Sequence, residues 1–363
     1  MDTIAPPDYM HSQLLGTAKL MIDCWLGKVN KVPKHLNASQ LKIIDARLDS
    51  IKFPSQKCRK LPFLLSNKKW KAFDFENFLY YGSFSLAGIL DPSLIYHFSQ
   101  LARVLSLLNK RKILEAEIEE AERLIKEFIR NFNVIYPVEM HRFNVHLLLH
   151  LPDTVRRFGP LFVSSSFSVE NEMGKMVRNV QTGTNVSQQV MSKALLKSSI
   201  LTLLTSDEES FSPLVRQLAN KVFDIKQHPD QCQFSLASNE TLPQAERNLI
   251  PEPFQSFSKL KYKKLVLTTT FYSAGTQNSN NFIKTHQNSF FRIIRIAKIS
   301  QNKPILICSK FNNVKITDFN YVWEAPLGGG TLEVVDIDDI DSNITIFLSD
   351  TKVYLFEIIN DHI

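Results

Sequence analysis

The chain has 363 residues, 44% hydrophobic and 22% charged, with 26 phenylalanines and only 11 glycines. At about 100–200 residues per domain this length predicts two or three domains, and the composition excludes wholesale disorder, collagen and a coiled-coil rod. Lys plus Arg number 43 against 36 Asp plus Glu, a net charge of +7 that suits an anionic partner without requiring one.

Asp8 follows Pro6 and Pro7, which oppose helix, and it precedes Leu14, Leu15, Ala18, Leu20, Met21, Ile22 and Trp25 at near-helical spacing. A helix capped by Asp8 is therefore expected. Residues 31–68 read as irregular, with a short helix from Ser39 to Leu48 and a basic loop over Lys52–Lys60. Two aromatic-rich helices follow within 69–109, the second opened by Pro92.

The clearest helix runs from Ile113 to Phe132. Leu114, Ile118, Ala121, Ile125, Phe128 and Phe132 form one stripe, and glutamates crowd its early turns. Those glutamates read as a solvated face rather than a metal site. Asn144–Arg157 reads as a helix broken near Pro152, Gly159-Pro160 as a turn, Leu161–Phe167 as a short strand or extended lead-in, and Val169–Arg178 and Val186–Leu204 as helices.

Residues 206–258 are rich in Ser, Asn, Gln and Pro, which marks a linker. Beyond it, Lys264–Phe271, Phe290–Ile299, Pro304–Lys310, Thr331–Val335, Asn343–Leu348 and Lys352–Ile358 read as strands of a small antiparallel barrel or sandwich. Gly328–Gly330 is a turn.

Cys24, Cys58, Cys232 and Cys308 lack the short spacing of a zinc module or disulfide scaffold, which suits a reducing compartment, nucleus or cytoplasm. No apolar run reaches the roughly 18 residues of a membrane helix, and no signal peptide is read, so neither membrane insertion nor secretion is expected. Walker, dinucleotide, G-x-S-x-G and HExxH signatures are missing.

Three constellations remain. Asp8-Tyr9-Met10-His11 lies where extended chain becomes helix; its carboxylate suits a helix cap and, secondarily, a hard cation. Glu170 falls in the first turn of a helix, where the dipole favours glutamate. His146 and His150, at i and i+4, share a face at metal-ligand separation, but with no third ligand nearby they read as core or hydrogen-bonded histidines.

Taken in order, Asp8-Tyr9-Met10-His11-Ser12 with Leu14-Leu15-Gly16 and Lys19, Trp70-Lys71-Ala72, Asn144 through Asp153, Gly159-Pro160-Leu161 and Phe167 through Gly174 resemble the transposase-derived proteins of the CACTA (EnSpm-type) superfamily. The likeness is to the second half of the transposase and covers roughly residues 5–205.

The resemblance implies an RNase H-like core with a DDE carboxylate triad binding Mg²⁺. Asp8 corresponds to the second aspartate and Glu170 to the glutamate, with His11 beside the metal site and His146 and His150 supporting. A helical insertion over about 30–140 separates the carboxylates. Two cations held by carboxylates from separate elements activate the attacking oxygen and stabilise the leaving one. The first aspartate has no counterpart among the seven residues before Asp8, so this chain is expected to be inactive in DNA cleavage.

The fold expected is α+β: a truncated RNase H-like core with its helical insertion over 1–205, a linker over 206–258, and a small antiparallel β domain over 259–363. DNA is the expected ancestral partner, with self-association as a further expectation. The competing reading is a non-catalytic DNA- or chromatin-binding module, with Lys52–Lys60 and Lys259–Lys264 tracking phosphates.

Overall fold

The computed structural model describes residues 6–29, 35–55, 60–178, 180–206, 212, 214, 215, 218, 232–237, 243–250, 253–273, 276, 278–299, 304–317, 321–349 and 351–357. The chain divides into two compact units, one of residues 1–165 with 231–363, the other of residues 166–230. Helices and antiparallel sheets together make the first unit an α+β structure. Its α-helical and β-rich parts, which the sequence suggests as separate bodies, fold as one. Much of the expected linker lies outside the described residues.

The first unit begins with a helical stretch whose opening part, Tyr9–Ala18, is π-helical and whose continuation is α1 (Lys19–Trp25). Of the expected stripe, Leu14, Ala18, Met21, Ile22 and Trp25 are buried while Leu15 and Leu20 are only partly so, and Tyr9 and Met10 join the buried face. Helix α2 (Ala38–Ser50) starts with a reciprocal capping box between Asn37 and Gln40. Helix α3 (Ala72–Asn77) runs into a π-helical turn, Phe78–Gly82, that is buried throughout.

Helix α4 (Pro92–Leu108) is capped by Asp91 and carries proline in its first turn. It packs along α5 (Glu115–Ile135), which buries Ile118, Ala121, Leu124, Ile125, Phe128 and Phe132. The break expected near Pro152 is a 3₁₀ turn, Leu148–His150, between α6 (Phe143–Leu147) and α7 (Leu151–Phe158); Pro152 itself lies in the first turn of α7, where it costs no hydrogen bond. Arg156 of α7 bridges Glu115 and Glu122 of α5, at 2.8 and 3.3 Å, and also Asp153.

One expectation fails between the units. Leu161–Phe167 is not a strand: residues 161–164 form turns, and α8 (Ser166–Arg178) already contains Phe167. Leu161 is the only fully buried apolar side chain of that run, and Ser164, Ser165 and Ser166 favour turns and helix starts over sheet. Among the described residues the second unit holds α8 and α9 (Val186–Ser206).

Among the described residues every strand follows Gln233, and every strand pair is antiparallel. They are β1 (Gln233–Ala237), β2 (Phe254–Tyr262), β3 (Leu265–Thr268), β4 (Phe282–Thr285), β5 (Phe290–Ile299), β6 (Pro304–Lys310), β7 (Lys315–Ile316), β8 (Val322–Pro326), β9 (Leu332–Asp336), β10 (Ile340–Asn343), β11 (Thr345–Leu348) and β12 (Lys352–Phe356). The larger sheet has eight strands centred on β5, which pairs β6 along one edge and shares its other edge between β4 and β2. The smaller runs β11-β12-β8-β7.

A bulge lies opposite β6 between Ile293 and Arg295. It explains how Phe291, Ile293 and Ile296 all reach the same core despite the odd step: one extra residue reverses the in–out alternation. The smaller sheet covers Phe282 and Phe290 of β4 and β5 with Ala325, Ile346, Val353 and Leu355. Strands β1, β2, β4, β7 and β8, and β10 but for Asn343, fall outside the segments expected as strands. β1 and the first half of β2 sit in the tract whose composition suggested a linker.

The helices join the sheets through aromatic rings. Tyr80 meets Tyr321 edge-on at 6.2 Å, Tyr81 meets Phe356 at 6.0 Å and Phe84 meets Phe356 at 5.0 Å. Lys52 also pairs its backbone with Ile346 on the open edge of β11. Covering that edge satisfies backbone groups that would otherwise invite another strand.

Candidate functional site

The D-x-x-H block opens the first helical stretch, and each of its side chains has a defined role. Asp8 caps the helix, its Oδ1 accepting from the Met10 amide at 3.2 Å. Its Oδ2 pairs with Nδ1 of His11. Both carboxylate oxygens are thus engaged locally, while the His11 ring stays more than half exposed.

Tyr9 turns the other way, into the core. Its hydroxyl donates to Glu76 Oε1 of α3 at 2.9 Å and lies 3.1 Å from the Tyr80 hydroxyl. Glu76 and Tyr80 are buried as well. Desolvation, with the Glu76 charge adding to it, holds both phenols protonated far above ordinary pH. This cluster ties the N-terminal helix to α3. The sequence shows the tyrosine but nothing that pairs it with a glutamate so far along the chain.

Gly16, later in the same block, meets Asn144, the first residue of the N-x-H block on α6. A Cβ on Gly16 would stand 2.4 Å from Asn144 Nδ2, 2.7 Å from its Cγ and 2.9 Å from its Cβ. Two blocks that the sequence shows only in order are therefore packed face to face. Gly16→Ala is expected to lower stability by about 1–3 kcal/mol, because Asn144 must shift from its root rather than its tip. Chemical denaturation of the two proteins checks it, and an unchanged midpoint refutes the close approach. Beside this contact lies a cleft of about 560 Å³ lined by Lys19, Asp23, Lys28 and Arg142. Lys19 and Asp23 pair across one turn there.

Of the two expected alternatives, core or hydrogen-bonded, His146 and His150 are not core: both are exposed, and they bond each other. Their Nε2 atoms face each other at 3.4 Å, and the rings cross at 76°. Val145, Leu148 and Leu151 take the inward face of the same turns, which leaves the histidines pointing outward.

Glu170 lies on α8, in the second unit, and is exposed; because the helix starts at Ser166, Glu170 is past the first turn rather than in it as expected. Asp8 belongs to the first unit. On α8 the next acidic residue, Glu172, pairs with Lys175 at 2.7 Å. Among the described residues no three His, Cys, Asp or Glu side chains come together as a metal site. For Asp8 the donor set fits Mg²⁺ poorly, since one oxygen is spent on the helix cap and the other on His11.

The basic tract Lys259–Lys264 forms the end of β2 and the turn into β3. Tyr262 pairs with Leu265, so Lys263 and Lys264 make a two-residue hairpin turn. Lys263 sits at φ +50°, where glycine or asparagine is at ease and a lysine is strained. Lys261, Lys263 and Lys264 are exposed and Lys259 is half-buried. The Lys52–Lys60 loop lies partly outside the described residues.

No protein-family model matches the sequence, no curated protein matches it, and no solved structure matches the fold. No helix among the described residues is long and apolar enough to cross a membrane.

Proposed function

We propose that this chain derives from a CACTA-type transposase and works as a non-cleaving DNA-binding protein of the nucleus. Residues 1–205 would descend from the RNase H-like core and its helical insertion, and the C-terminal strands would hold the DNA. Support for the ancestry comes from the ordered blocks and from the contact of Gly16 with Asn144, which gives two of those blocks a reason to persist together.

The single observation that carries the DNA-binding reading is the β2–β3 hairpin. It presents four lysines within six residues, one of them held in a strained turn conformation. Lys259 and Lys261 are two apart on one strand, so they share a face and a phosphate track. Neither is ion-paired among the described residues. A cation face of this kind binds through the backbone of the nucleic acid and carries little sequence information.

Cleavage is not part of the proposal. The Asp8 carboxylate is occupied in capping and in its His11 pair, a poor fit to Mg²⁺.

Salt dependence tests the reading. With four phosphate contacts to duplex DNA, log K should fall with log salt at a slope of about −3.6, on the order of 100-fold between 50 and 200 mM. The double variant Lys259→Glu, Lys261→Glu should reduce that slope by about 2. Labelled duplex should stay intact with Mg²⁺ or Mn²⁺ present. A flat salt response refutes DNA binding, and cutting abolished by Glu170→Ala would restore the catalytic reading.

A further inference from the structure

We propose that His146 and His150 form a chelating site for a tetrahedral transition-metal cation, Zn²⁺ being the fit, on the outer face of the α6–α7 turn. Separation, exposure and anchoring define this site, and none of them depends on DNA binding.

The separation comes first. A tetrahedral ion with bonds of about 2.0–2.1 Å to imidazole nitrogens holds two of them about 3.3–3.4 Å apart. Right-angled ligands of an octahedral ion at about 2.1 Å would stand only about 3.0 Å apart. The two Nε2 atoms lie 3.4 Å apart. With no ion between them the two rings share a long hydrogen bond at this distance, one Nε2 donating to the other. The same separation is the bite of a tetrahedral chelate.

The site is open to the ion. Both histidines are exposed, so binding displaces only water. Their Nε2 atoms converge, with the rings crossed at 76°, and a cation placed between them meets both lone pairs when each ring is neutral with its proton on Nδ1.

The backbone is already set. His146 lies in α6 and His150 in the 3₁₀ turn that follows, and Val145, Leu148 and Leu151 are buried on the opposite side of the same turns. The Thr154 hydroxyl donates to the His150 carbonyl at 2.8 Å and secures the entry to α7. The ion would clip α6 to the 3₁₀ turn, with water in its two remaining positions. With only two protein ligands the site is weaker than a closed structural zinc centre.

The full chain is titrated with zinc in a non-coordinating buffer against a chromophoric chelator, alongside His146→Asn, His150→Asn and His11→Asn. Both of the first two substitutions are at exposed positions, and far-UV circular dichroism verifies that each variant is folded. The expected result is one zinc per chain at this site, weakened at least tenfold by either His146→Asn or His150→Asn and unchanged by His11→Asn. Excess Mg²⁺ should not compete. Zinc should also slow amide exchange over residues 143–154 in the native chain and not in the variants. Zinc binding of full strength in the His146→Asn, His150→Asn double variant overturns the proposal. So does loss confined to His11→Asn, or the absence of binding to the native chain at millimolar zinc.

Discussion

Tyr9→Ala is expected to destabilise the chain by about 3–5 kcal/mol, a large share of the roughly 5–15 kcal/mol that holds a typical domain folded. The ring is 1% exposed, so its removal opens a cavity between the first helix and α3. It also takes away the hydroxyl that donates to Glu76 at 2.9 Å. Tyr9→Phe separates the two effects: it keeps the ring, loses only the hydroxyl's bonds to Glu76 and Tyr80, and should cost about 1–3 kcal/mol. Asp8→Ala, which removes the cap, should cost about 1 kcal/mol. Urea denaturation of the three variants measures the ranking. A Tyr9→Ala cost no greater than that of Asp8→Ala would show that the block is not held by its buried tyrosine. The double cycle with Glu76→Gln reads the coupling between the two side chains directly.

What the sequence reveals of the fold follows its periodicities. The α5 stripe was legible because Ile118, Ala121, Ile125, Phe128 and Phe132 repeat at helical spacing behind an acidic first turn; Leu114, expected with them, precedes the helix and is exposed. β5 and β6 were legible as runs of β-branched and aromatic residues bounded by turn-formers. β10 was not, because Ile340-Asp341-Ser342-Asn343 has the composition of a turn. Its strand character comes from tertiary partners: Asn343 is buried and its Nδ2 donates to the carbonyls of Asn280 and Phe282. The bulge in β5 was illegible for a related reason. Ile293 and Ile296 contradict a two-residue period unless the neighbouring strand is known to accept an extra residue.

The candidate sites divide in the same manner. The Asp8 cap depends on residues two and three positions away and could be read directly. The Tyr9–Glu76–Tyr80 cluster and the Gly16–Asn144 contact join residues far apart in the chain, and no local pattern encodes either. His146 and His150 were visible as a pair, but their exposure was not. Leucines on both sides made the segment look buried all round, whereas Val145, Leu148 and Leu151 fill the inner face and Leu149 stays exposed.

The second large effect is expected from acid. His97 of α4 is fully buried, stacked 4.0 Å from Phe128 with the ring planes 7° apart, and its Nε2 lies 2.9 Å from the Phe128 carbonyl. The rings of Phe132 and Tyr136 close around it. Burial pushes its imidazole down to about 4, against about 6.5 in an unfolded chain. The unfolded chain therefore takes up a proton first as the pH falls. Stability from this group is complete above about pH 6.5 and drains away as pH falls toward 4, by about 3 kcal/mol in all.

His97→Leu keeps an apolar filling for the site but cannot titrate. Near pH 7.5 the variant should be weaker than the native chain by about 1 kcal/mol, having lost the hydrogen bond to Phe128. Between pH 6.5 and 4 its stability should fall less steeply, so the two curves converge and cross. Carboxylates titrate in both proteins and cancel from the difference. Denaturation midpoints measured at half-unit steps of pH give that difference. Parallel curves would mean that the α4–α5 interface opens to hydrate the ring before it protonates, and His97 would then be a packing residue with no part in the acid response.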